Sequence, residues 1–87
     1  MTSITFGQTK VDSLLILNQD LEGENKVNNL INISREFFIV GDTQSIKYAK
    51  EAIILSDQIG YNEGKGKAML FLALGSNNTN VDTALYY

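Results

Sequence analysis

Cysteine, histidine, proline and tryptophan are all missing from this chain of 87 residues. Without cysteine there is no disulfide, no thiol nucleophile and no thiolate metal site, and the redox compartment leaves no trace. The loss of histidine as well removes most zinc sites and the usual base for nucleophilic catalysis at neutral pH. Without proline nothing interrupts long helices. Excess positive charge is lacking too: ten acidic residues against seven basic give a formal charge of −3. The lysines are scattered rather than gathered on one face, which argues against nucleic acid, whose phosphates call for a dense basic footprint. No apolar run approaches the roughly 20 residues of a membrane span.

What remains is a small, aliphatic-rich chain. It is 44% hydrophobic and 20% charged, too apolar for disorder, and about the size at which one core suffices to stabilise a fold. Met1 to Gln8 carries no charge and no amphipathic period and is expected to be a flexible leader. Its residues look like the tail of an export signal but lack the basic start and apolar run. The compartment is left open by this: cytoplasmic is the expectation for the chain as it stands, periplasmic if the leader is the remnant of an export signal.

Apolar spacing predicts four helices and a stub, all α. The first, over 9–21, places Val11, Leu14, Leu15 and Leu21 on one side, and Gly23 is suited to close it. The second, over 26–40, carries Val27, Leu30, Ile31, Phe37 and Phe38 with the small Ser34 between them; Asn25 is its expected N-cap and Gly41 its stop. The third, over 43–59, is capped by Asp42 or Thr43 and ended by Gly60. Ile46, Ala49 and Ile53 form one stripe and Tyr48, Ala52, Leu55 and Ile59 an adjacent one, so it should have neighbours on both sides. The fourth, over 64–75, is apolar all round from Ala68 to Leu74 and is expected to be buried. Ser76 to Asn80 should break it, and 81–87 begins another helix.

The segments repeat. A displacement of about 41 residues, within the range of stacked helical repeats, carries Glu22 onto Glu63, Gly23 onto Gly64, Lys26 onto Lys67, Val27 onto Ala68, Leu30 onto Phe71, Ile33 onto Leu74 and Ser34 onto Gly75. Backwards it carries Val11 onto Ala52 and Leu14 onto Leu55. In this register the first helix is the second half of a unit, the next two form a whole unit, and the fourth opens another. Ser34, Ala49, Ala52 and Gly75 are the places where helix axes can approach within about 8–10 Å.

Leu30 to Asp42, then Ile46 to Ala52, resembles a tetratricopeptide repeat: large apolar residues, an apolar-small pair, an aromatic, a Gly-Asp turn and a second helix ending on a small residue. Ile59 to Gly64, with Ala68 and Leu74-Gly75, is similar to the longer variety of about 40 residues. The likeness runs from Thr9 to Gly75 and is closest to the tetratricopeptide segments that precede bacterial sensor kinases and transcription regulators. Ser45 departs from it, standing where the family usually has alanine. The resemblance implies antiparallel helix pairs in a right-handed α-solenoid, and a protein or peptide interaction module or scaffold. It further implies a concave binding face of Asn28, Ile31, Arg35 and Phe38 on the second helix with Met69, Leu72 and Ser76 on the fourth. Asn28 and Arg35 would hydrogen-bond a peptide backbone or carboxylate.

Other motifs carry less. Gly64-Lys65-Gly66-Lys67 lacks the spacing and preceding strand of a phosphate loop, and Asp20 to Glu24 lacks the alternation of a calcium loop. The carboxylates and lysines show no convergent catalytic set, so no enzyme activity, metal or cofactor is expected. With fewer than the roughly three units that stabilise such arrays, the end helices would expose apolar surface. A structural, self-associating helical fragment without a separate ligand is therefore the alternative reading.

Overall fold

The computed structural model describes residues 6–79, which form four α-helices: α1 (Phe6–Asn18), α2 (Gly23–Ile39), α3 (Gln44–Ile59) and α4 (Asn62–Thr79). Each helix packs on the next, and α2 also packs on α4. The result is an all-α bundle about 14 Å deep and 43 × 42 Å across. That depth is two helix layers at the usual spacing of about 8–10 Å.

Two glycines set the reversals. Gly41 and Gly60 both take φ of 74°, where a side chain would be strained. At the first, Asp42 N–H donates to Phe37 O (2.9 Å) and Gly41 N–H to Phe38 O (3.0 Å). At the second, Tyr61 N–H donates to Ser56 O (2.8 Å) and Gly60 N–H to Asp57 O (3.4 Å). These are paired Schellman closures, which satisfy carbonyls that the helix end leaves without partners. Asp42 then turns to the next helix, its Oδ1 accepting from Gln44 N–H at 2.8 Å. Of the two expected caps it is Asp42 rather than Thr43 that bonds.

Several boundaries differ from the sequence expectation. α1 starts at Phe6, inside the expected leader, and ends at Asn18 rather than Leu21. Gly23 is left-handed (φ 60°), but it opens α2 instead of closing α1. The chain thereby reverses straight into the helix, so Glu22 is the N-cap and Asn25 lies within the first turn. α4 runs through Ser76 to Thr79 without a break. Serine and asparagine cost a helix only about half a kcal/mol each, and Gly75 holds the preceding turn against α3. The helix expected over 81–87 lies outside the described residues.

The core is a seam of α2 against α3 and α4: Val27, Leu30, Ile31, Ile33, Ala49, Ala52 and Ala68 are buried. Each large aliphatic contributes about 1.5–3 kcal/mol by leaving water. α3 has the two covered sides expected of it, although Ile59 is exposed. α4 is not the buried helix expected. Met69 and Leu70 are 52% and 54% exposed, because only the Gly64, Ala68, Phe71 and Gly75 side faces its neighbours.

Small residues bring the three helices together. Ser34 Oγ donates to Ser45 O at 2.7 Å, joining α2 to α3, and both serines are buried. A Cβ on Gly75 would lie 2.9 Å from Ser45 Oγ and 3.1 Å from Ile46 Cγ1, so α4 meets the same point from its own side. Three pairs of the repeat displacement are buried at both members: Val27 and Ala68, Ser34 and Gly75, and Val11 and Ala52. Ser34→Leu should lower unfolding free energy by about 1–3 kcal/mol through overpacking. Ser34→Ala, which removes only the hydroxyl bond, should cost about 1 kcal/mol. Urea unfolding checks both, and a Ser34→Leu protein as stable as the native one would contradict this close approach.

Candidate functional site

Adjacent residues of α2 serve different neighbours. The Phe37 ring stacks on Tyr48 of α3 with centroids 5.6 Å apart, while the Phe38 ring meets Phe71 of α4 edge-on at 6.3 Å. Rotation of about 100° per residue along a helix explains the split. The stripe that carries Phe38 therefore faces the α2–α4 seam, and Ile31, one residue type expected on the binding face, is 6% exposed within it. Phe38 is half-buried. These two side chains form the floor of the seam rather than its surface.

Asn28 and Arg35 are exposed on the same side of α2. Asn28 Oδ1 accepts from the Tyr61 hydroxyl at 3.0 Å, which pins the amide at the mouth of the seam. Arg35 has no ion-pair partner among the described residues. The α4 members of the expected face lie differently. Phe71 and Gly64 are the α4 positions that meet α2, and Leu72 stands about 100° round from Phe71. Met69 is exposed, and Leu72 and Ser76 are half-buried. The structure thus gathers Asn28, Ile31, Arg35 and Phe38 along one side of α2 and sets Met69, Leu72 and Ser76 beside, rather than across, the seam.

Tyr61 governs how closely the seam closes. Its ring lies against the bare backbone of Gly64, where a Cβ would come within 2.5 Å of Tyr61 Cδ2 and 2.8 Å of Val27 Cγ1. Gly64 is therefore a packing glycine and not part of a phosphate loop. Lys65 Nζ bonds Asp57 Oδ1 at 2.9 Å and Lys67 pairs with Glu63 at 3.5 Å, so both lysines lie in exposed ion pairs of small energetic weight.

A second concavity went unforeseen. Lys26 and Leu30 of α2 and Glu51, Ile54, Leu55 and Gln58 of α3 line an open groove of about 280 Å³. Ile54 is the clue that sequence offered, because it fits neither apolar stripe of α3 and indeed stays largely exposed. Asn29 was also missed. It is buried and its Nδ2 donates to Leu14 O (2.9 Å) and Asn18 Oδ1 (3.2 Å), and with the Lys10–Glu36 pair (3.2 Å) it ties α1 to α2. Among the described residues no group of three acidic, histidine or cysteine side chains is placed to hold a metal.

Gly64→Ala should destabilise the fold by about 1–3 kcal/mol, since the tyrosine ring must move. Tyr61→Ala in the same chain should recover part of that loss, whereas Tyr61→Phe should not, because the clash is with the ring and not the hydroxyl. A double-mutant cycle by chemical unfolding measures the coupling; additive effects would place Tyr61 away from Gly64.

No family model, no curated protein and no solved structure matches the chain.

Proposed function

We propose that the chain is a protein- or peptide-binding segment built of tetratricopeptide-like helix pairs, stacked in the manner of an α-solenoid. The single observation behind this reading is that three pairs of residues 41 apart are buried at both members: Val27 with Ala68, Ser34 with Gly75, Val11 with Ala52. A repeat in packing, and not only in letters, is what stacked units produce. Extended arrays of this kind bind along the surface made by corresponding helices of successive units, here α2 and α4.

On that surface the side of α2 supplies the polar contacts. Arg35 offers a planar fork for a carboxylate, and Asn28 an amide for a peptide backbone. Ile31 and Phe38 support them from below, and exposed Met69, with Leu72 and Ser76 beside it, extends the surface along α4. The partner this chemistry favours is a peptide carrying an acidic side chain or a free terminal carboxylate. The sensory or regulatory segment of a bacterial signalling protein is the setting the resemblance suggests.

Screening the chain against an array of peptides with acidic and amidated ends tests the reading. Acid-ended peptides should be retained, and Arg35→Ala should weaken the best of them by roughly tenfold or more, the worth of about one charge-assisted hydrogen bond. Retention that is indifferent to Arg35 and Asn28 would overturn this face.

A further inference from the structure

The open groove between α2 and α3 has an apolar floor with charge at both ends. Leu30 is buried and Leu55 half-buried, whereas Ile54 stands out from the groove, 59% exposed. α2 and α3 run antiparallel, since Ser34 meets Ser45 and Phe37 meets Tyr48 close to the Gly41 turn. Lys26 is one helical turn farther from Gly41 than Leu30 and so lies toward Gln58, at the end of α3. Glu51, two turns before Gln58, lies at the other end, with Ile54 between. Lys26 and Glu51 do not pair with each other, and neither has an ion-pair partner among the described residues.

One turn beyond each end the sign of charge changes again. Glu22 stands a turn before Lys26, and Lys47 a turn before Glu51. Glu22 and Lys47 form no ion pair among the described residues either, and the Lys47 ammonium rests 5.1 Å from the centroid of the Tyr48 ring. Along the groove the row therefore runs negative, positive, apolar, negative, positive. Turned end for end it runs positive, negative, apolar, positive, negative. Every charged place then meets its opposite.

We propose that this groove receives the same groove of a second copy of the chain, across a two-fold axis near Ile54. Lys26 of each copy meets Glu51 of the other, and each Ile54 enters the apolar strip opposite. A row whose signs invert on reversal is complementary to itself, so a second copy brings the required charges at the required spacing, and brings them twice. The contact is isologous and closed, which stops assembly at the dimer. The six lining residues of each copy fall short of the roughly 20–30 of a stable interface, so the dimer is weak and sensitive to salt. Asn28 and Arg35 lie about 160–180° round α2 from Lys26. The inference thus stands or falls separately from peptide binding.

Sedimentation equilibrium on the full chain, with two charge reversals, tests it. The native chain should move from monomer to dimer, and no further, as its concentration rises to about 1 mM. Added salt should reverse the shift. Lys26→Glu and Glu51→Lys each turn two attractions into two repulsions and should dimerise roughly tenfold or more weakly. Their equimolar mixture should dimerise again, and so should the double variant, because both restore opposite signs at each contact. Circular dichroism confirms that every variant keeps its helices. A native chain that stays monomeric to about 1 mM, a single reversal that dimerises like the native chain, or a folded mixture that stays monomeric would each overturn the proposal. So would a native monomer that captures a charged helical peptide through Lys26 and Glu51, since the groove would then have another occupant.

Discussion

The meeting of α2, α3 and α4 at Ser34, Ser45 and Gly75 is the constraint on which the rest of the structure depends. Ser34 spends its hydroxyl on the Ser45 carbonyl, and Gly75 comes in against the Ser45 hydroxyl and Ile46 with no side chain of its own. Larger residues at these points would force the helices apart. With the axes held close, Val27, Ala52 and Ala68 can be fully buried despite the modest size of the chain. The same closeness settles the aromatic pairs, because Phe37 then reaches Tyr48 and Phe38 reaches Phe71.

The energetic character of the bundle follows from this. Its tightest contacts are made by serine, glycine and alanine, which contribute little apolar area, so close packing replaces bulk. Several large aliphatic residues are meanwhile left outside: Ile16, Leu17, Ile39, Val40, Ile54, Met69 and Leu70 are all exposed. Scattered exposed aliphatics are ordinary, but neighbouring ones on helices with an uncovered side are typical of surfaces made for contact. Among the described residues, Ile16 and Leu17 on α1 and Met69 and Leu70 on α4 are such neighbours.

Much of the fold was legible because the punctuation is strong. Gly41 and Gly60 end helices where a left-handed residue is needed, and the spacing of Val27, Leu30, Ile31 and Ser34 identifies the buried side of α2. Propensity misled where packing outweighed it. Ser76 to Thr79 reads as a break, yet Gly75 is held against α3 and the helix continues. Gly64 reads only as the entry of the fourth helix, with no sign in the residues that it is the position on which Tyr61 rests. The binding face was legible only in part: periodicity locates Asn28 and Arg35 on one side of α2, but the rotation of α4 depends on Phe71, Gly64 and Gly75 finding their partners. Asn29 gave no sequence signal, since a buried amide differs from a surface one only in what surrounds it.

Convergence of the three helices can be observed directly. In a nuclear Overhauser spectrum of the labelled protein, the Gly75 α-protons should show cross-peaks to the Ser45 and Ile46 side chains, and Ser34 β-protons to the first turn of α3. An intact helix over 62–79 whose Gly75 protons show no contact with Ser45 or Ile46 would contradict the close approach of α4 to α3.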